Sequence, residues 1–160
     1  MPAIETHVLA KDYKVGFWRP RPYRALDGLT LEVQPGEVLA LHAKAREKYG
    51  DAIPAREHPL IRSREACIKS TRLAISLAQK HGTRLHVLHI STADELALFQ
   101  PGPIRGKKIT AETCVHFLHF DDRDYERLGF LIKCNPAIKA AADREAITRA
   151  LAEGRLDVLA

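Results

Sequence analysis

The chain has 160 residues, 46% of them hydrophobic and 28% charged, with a formal net charge of +5. That length and balance suit one ordinary globular domain, and no apolar run approaches the ~20 residues of a membrane span. The start, Met1-Pro2-Ala3-Ile4-Glu5-Thr6, has no basic stretch leading into an apolar one, so a secretory signal is not expected. Cys67, Cys114 and Cys134 are widely spaced and form no Cys-x-x-Cys pair. That argues for a reduced, cytoplasmic protein and against a disulfide scaffold or a cysteine zinc site. Charge is mixed along the chain. The one tight basic cluster, Arg19, Arg21 and Arg24 beside Trp18 and Tyr23, reads as a solvated loop, and no nucleic-acid partner is expected.

In chain order, Ile4 to Leu9 reads as a strand, and Gly16, Pro20 and Pro22 mark a loop from Tyr13 to Tyr23. Leu29, Leu31 and Val33 alternate with polar residues as a half-buried strand does. After the Pro35-Gly36 turn, the apolar run Glu37 to Leu41 reads as a further strand. The composition then changes. Ala43 to Tyr49 is helical in character, and Asp51 to Arg62, with Pro54 and Pro59, is loop-like. Ser63 can cap a helix carrying Ala66, Ser70, Leu73 and Leu77, with Gly82 at its C-terminal stop. Leu85 to Ile90 is a short strand, and Thr92 with Glu95 forms a capping box for the next helix. Lys108 to Glu112 is a strand. Asp143 caps a helix whose apolar face is Ala146, Ile147, Ala150 and Leu151, Gly154 stops it, and Leu156 begins a last strand. This alternation of strand and helix predicts βα units around a parallel sheet.

Two resemblances organise the chain. The run Tyr23-Arg24-Ala25-Leu26-Asp27-Gly28-Leu29-Thr30-Leu31-Glu32-Val33 followed by Pro35-Gly36-Glu37-Val38 resembles the start of an ABC-transporter ATP-binding subunit. In that family the position of Tyr13 stacks on adenine. The phosphate loop that should follow is missing, because the chain reads Leu39-Ala40-Leu41-His42-Ala43-Lys44 with no glycine between Gly36 and Gly50. Without the G-x-x-x-x-G-K-[ST] spacing the backbone N–H groups and lysine cannot surround phosphates. Residues 1–41 are therefore expected to be a β-rich segment without ATP binding.

Residues 42–160 resemble dihydroorotase, a zinc amidohydrolase. The phrases are His58-Pro59-Leu60-Ile61-Arg62-Ser63, Leu85-His86-Val87-Leu88-His89-Ile90-Ser91-Thr92, Ile109-Thr110-Ala111-Glu112-Thr113-Cys114-Val115-His116, and Lys133-Cys134-Asn135-Pro136-Ala137-Ile138-Lys139. The resemblance implies an α/β fold, namely part of a (β/α)8 barrel preceded by the short β-rich segment. It also implies a zinc-activated water, and a dihydroorotate-like small molecule as substrate.

His89, at the end of an apolar strand, matches a family zinc ligand. His42 is a second candidate, read as a ligand closing the strand before it. Asn135 matches an asparagine that binds the substrate's ring amides, for which a group that both donates and accepts is suited. Its alternative reading is an Asn-Pro turn. His86, three residues before His89, is expected on the opposite strand face in a structural role. His116 is expected to pack or to orient a ligand.

The family's early His-x-His pair and its catalytic aspartate, found in a Thr-Asp-His-Ala-Pro phrase, have no counterpart in this sequence. No catalytic residue is assigned, and the expectation is a fragment inactive by itself. A complete barrel takes about 250 residues, so open sheet edges are expected to favour self-association. The alternatives are an ABC ATP-binding fragment or a non-catalytic fusion product.

Overall fold

A computed structural model describes the backbone of residues 4–15, 21–33 and 37–160, and side chains from Ala40 onward. The chain divides into two compact units, Met1–Ala40 and Leu41–Ala160.

The first unit is an antiparallel pair, β1 (Ile4–Val15) and β2 (Arg21–Val33). Ile4 lies opposite Val33, Tyr13 opposite Tyr23 and Val15 opposite Arg21, with register shifts between Thr6 and Asp12. Both strands run further than the proline and glycine signals indicated. Pro22 pairs with Lys14 inside the ribbon, which is tolerable because each strand of a two-stranded ribbon has an open edge. Trp18 and Arg19 of the basic cluster lie outside the described residues.

The expected strand Glu37 to Leu41 is instead the start of α1 (Glu37–Tyr49). The cause is composition: Leu39, Ala40, Leu41, Ala43, Lys44, Ala45, Arg46, Glu47 and Lys48 are all strong helix formers. No glycine interrupts them until Gly50, whose φ is +64°. The expected loop after it holds a 3-10 turn (Ala55–Glu57) and the short α2 (His58–Ile61).

The helix α3 (Arg64–His81) has the boundaries its sequence signals require. The Ser63 hydroxyl accepts from the Ala66 amide at 3.2 Å, and Gly82 closes the helix at φ +65°. The chain continues through β3 (Leu85–Val87), a 3-10 segment (Ala93–Leu98), β4 (Ile109–Thr113), α4 (Val115–His119), α5 (Asp124–Leu128), a 3-10 turn (Gly129–Ile132), α6 (Ala141–Ala152) and β5 (Val158–Leu159).

The sheet order is β3-β4-β5, parallel throughout. Ile90, Ala111, Phe117, Ile138, Ile147 and Leu156 are buried at the centre of its core. Asp157 ties β5 to β4. Its carboxylate accepts from the Ala111 amide at 2.9 Å and from the Lys107 ammonium at 2.7 Å.

Two capping expectations change in detail. Asp143 is not the cap of α6; that position is Ala140, which has no side-chain acceptor. Asp143 sits three residues in and reaches back to the Ala140 amide at 3.2 Å, half of a capping box. Thr92 does not bond the next helix's backbone either. Its hydroxyl donates to Glu95 at 2.8 Å, whose other oxygen accepts from Thr71 at 2.6 Å. The buried Glu95 carboxylate is thereby satisfied by two hydroxyls. No helix among the described residues is long and apolar enough to cross a membrane.

Candidate metal centre at the strand ends

The site begins with β4. Thr110, Glu112 and Cys114 alternate along it and past its end, so their side chains share one face of the sheet. His86 on β3 lies opposite Thr110, and its imidazole takes the same face. Nδ1 is 2.8 Å from the Thr110 hydroxyl and Nε2 is 3.2 Å from Glu112 Oε2.

Simple alternation would place His89 on the other face. It does not go there, because β3 stops at Val87. Val87 pairs with Ala111, yet the Ile90 amide bonds the Glu112 carbonyl at 2.8 Å. Ile90 therefore stands in register with Thr113, three residues past Val87 against two past Ala111, so the Leu88–His89 stretch carries one extra residue in the ladder, and His89 takes φ +60°. An insertion of this kind re-aims a side chain, and a non-glycine residue in the left-handed region costs energy that surrounding contacts must offset. The re-aimed His89 Nδ1 lies 2.8 Å from Glu112 Oε1 and 3.2 Å from Cys114 Sγ. The expectation that His86 and His89 face opposite sides is thus overturned: both engage one carboxylate.

The ligand atoms of His89, Glu112 and Cys114 all lie within 4.8 Å of one another. A tetrahedral zinc-type ion, with bonds of 2.0–2.3 Å, needs donors about 3.3–3.7 Å apart, so the two contacts of His89 Nδ1, at 2.8 and 3.2 Å, would each open by about half an ångström or less. Nitrogen, oxygen and sulfur donors together suit a borderline-soft divalent ion. Burial, and then the Glu112 charge, push the Cys114 thiol above its ordinary range. An ion held there would have to displace the thiol proton. His116 lies beside the trio. Burial first, then the charge of His89, lowers its pKa, and its ring packs against Phe117 at 4.2 Å between centroids.

His42 and Asn135, the other sequence-assigned residues, are not among these donors. His42 is exposed on α1 and does not end a strand, because the segment before it is helical. Asn135 is exposed at a cis peptide bond to Pro136. Glu112 and Cys114 were missed in the sequence, although their two-residue spacing on a predicted strand was a signal that they share a face.

No protein-family model matches the chain. It is 31% identical over 146 residues to the allantoinase of Deinococcus radiodurans, a match covering 83% of this chain and 32% of that protein. It is 40% identical over 86 residues to the dihydroorotase of Syntrophobacter fumaroxidans, covering 54% of this chain and 20% of that one. A crystal structure of D-hydantoinase matches 77% of this chain and 27% of its own, with a TM-score of 0.66 at 24% identity. The fold is accordingly a partial amidohydrolase barrel. These relatives and neighbours are all amidohydrolases, and the likeness is not to dihydroorotase alone. They give no support to an ABC-transporter reading of residues 1–41. The chain spans roughly a third or less of the length of the relatives it matches.

Proposed function

We propose that this chain carries part of a metal-dependent cyclic amide hydrolase, with one divalent ion, zinc by its donor set, held by His89, Glu112 and Cys114. The observation that carries the reading is the convergence of three different donor atoms within 4.8 Å at the C-terminal ends of two parallel strands. Active sites of (β/α)8 barrels lie at that end. When bound, such an ion would supply Lewis acidity and lower the pKa of a coordinated water.

The protein's own residues prepare that position. His86 and Thr110 form a relay behind Glu112 that holds its carboxylate in place. His86 thus acts on Glu112 as an outer group orienting a ligand, while the other Glu112 oxygen faces His89 Nδ1. His42 is left out of this ligand set, since the three donors converge without it. Asn135 is the proposed substrate contact, its exposed amide offering one acceptor and two donors to a ring amide.

The substrate class is a small cyclic amide. Dihydroorotate is the candidate from the sequence phrases, and allantoin is the candidate from the relative matched over more of the chain. Ring opening would require further strands to close the barrel around this position. Among the described residues the outer edges of β3 and β5 are unpaired, and with exposed Leu88, Val115 and Leu159 they favour self-association. Sedimentation at increasing concentration tests that association.

The test of the site is cobalt and zinc titration of the chain beside His89→Ala and Cys114→Ser. A stoichiometric site with a thiolate-to-cobalt charge-transfer band, weakened by the first variant and stripped of the band by the second, is expected. Metal binding indifferent to both variants would sink the assignment.

A further inference from the structure

The segment from Lys133 to Ala140, between the last 3-10 turn and α6, forms neither helix nor strand, yet its backbone is pinned along its length. The Cys134 carbonyl lies 2.7 Å from His58 Nε2, and the Pro136 carbonyl accepts from the Cys134 thiol at 3.1 Å. The Ala137 carbonyl accepts from the Lys139 side chain at 3.1 Å. The Ile138 amide donates to the Tyr125 hydroxyl at 3.2 Å, and the Lys139 carbonyl accepts from the Asp122 amide at 2.9 Å. Surface loops ordinarily leave such groups to water. Ala137 and Ile138 are buried, whereas Asn135 is exposed between the first two of these anchors.

The Cys134 thiol closes the turn around Asn135 from within. His58 ties that turn to α2, 76 residues away in the sequence, whereas Tyr125, Asp122 and Lys139 are close in the chain. A carbonyl only accepts, so His58 Nε2 must carry the proton that it donates. The imidazole is 8% exposed. Burial lowers its pKa, and the charges of Lys133, Arg62 and Lys139 act in the same direction, against the pull of the Cys134 carbonyl. The ring is therefore a neutral donor at pH 7. A buried donor left without its acceptor is costly, which resists opening of this contact.

We infer that His58 is a positioning residue for Asn135, fixing through the Cys134 carbonyl the direction in which the Asn135 amide meets the ring amide of a substrate. The role rests on Asn135 being the substrate contact proposed above; the anchoring itself does not. Groups that recognise a substrate must be held to within about 0.5 Å, which takes supporting hydrogen bonds from the surrounding structure.

Nuclear magnetic resonance of the isotope-labelled full chain, beside His58→Phe and His58→Gln, tests the role. In the parent chain at pH 7 His58 is expected as the Nε2–H tautomer. The Nδ1–H tautomer would overturn the role whether or not the variants fold, because Nε2 could not then donate. His58→Phe fills similar space without a donor, and should lower the Asn135 backbone order parameter from about 0.85 to below about 0.6. Ile138, held by Tyr125, should keep its own value. His58→Gln, whose side-chain amide offers a donor to the same carbonyl, should restore Asn135. An unchanged Asn135 in His58→Phe, or a loss shared equally by Ile138, would overturn the role. Titration with hydantoin, a small ring bearing amide N–H and carbonyl groups, completes the test. Several-fold weaker binding in His58→Phe, recovered in His58→Gln, is expected, and equal binding in the parent chain and His58→Phe would overturn the role. Asn135 resonances indifferent to hydantoin in the parent chain would instead sink the substrate contact, and with it the purpose of the anchor, leaving the order measurements as they stand.

Discussion

The His89 imidazole meets the Glu112 carboxylate at 2.8 Å across the ends of two parallel strands, and His86 approaches the other oxygen of the same carboxylate at 3.2 Å. One glutamate is thus held between two histidines, only one of which also faces a thiol. This asymmetry separates a binding role for His89 from an orienting role for His86.

It also makes a graded prediction for metal binding. Glu112→Ala should abolish tight zinc binding by removing a donor. His86→Ala should weaken it about 10–100-fold, the usual cost of losing an orienting neighbour. Competition with a chelator of known affinity measures both. Equal losses in the two variants would contradict the division of roles.

The pairing of Arg64 with Asp143 should matter for stability. Asp143 is buried, accepts two contacts from Arg64, and also satisfies the Ala93 and Ala140 amides. Asp143→Ala would leave those donors unmet, at about 3 kcal/mol. Urea unfolding should show the midpoint fall with little change in slope.

A smaller effect is expected at the start of α3. Ser63→Ala removes the bond to the Ala66 amide and should cost about 1 kcal/mol. In a chain of this size that corresponds to a drop in melting temperature of about 2–4 °C. Ser63→Asp should keep most of the stability, since an aspartate also accepts at this position.

Acid should weaken the fold through Asp121. Hydrogen bonds from the Arg123 side chain, then its backbone amide and the charges of Arg123 and Arg144, hold this carboxyl down to about 2. In the unfolded chain it would titrate at about 3.9. The unfolded state therefore takes up a proton first as the pH falls. The stabilisation is full above about pH 4–5 and is lost towards pH 2. Because Arg123 is largely exposed, solvent screening limits the effect to about 1–2 kcal/mol. Asp121→Asn should remove that part of the pH dependence in urea unfolding followed from pH 6 to pH 3, while lowering stability at pH 6.

Much of the fold was legible because it rests on local signals. Ser63 and Gly82 bracket α3 where their side-chain chemistry and backbone freedom require, and the strand–helix alternation anticipated the parallel sheet. Errors arose where two local signals competed. The short apolar run Glu37 to Leu41 fitted a strand by pattern, but it is continuous with strong helix formers up to Tyr49, and propensity summed over that length prevails.

The candidate site was half legible. His89 stood out as a polar residue ending an apolar strand, and the spacing of Glu112 and Cys114 already gave them a common face. No pattern in the sequence shows that the Leu88–His89 stretch carries one extra residue in the ladder. That depends on which carbonyl the Ile90 amide finds on β4.

The sequence by itself determined the limits of α3 and the alternation of strand and helix, since capping and periodicity are interactions within a few residues. Only the tertiary structure decided that His89 meets Cys114, 25 residues away in sequence. The side-by-side pairing of β3 and β4 sets that proximity, and the one-residue insertion after Val87 turns the imidazole to the face where Glu112 and Cys114 lie.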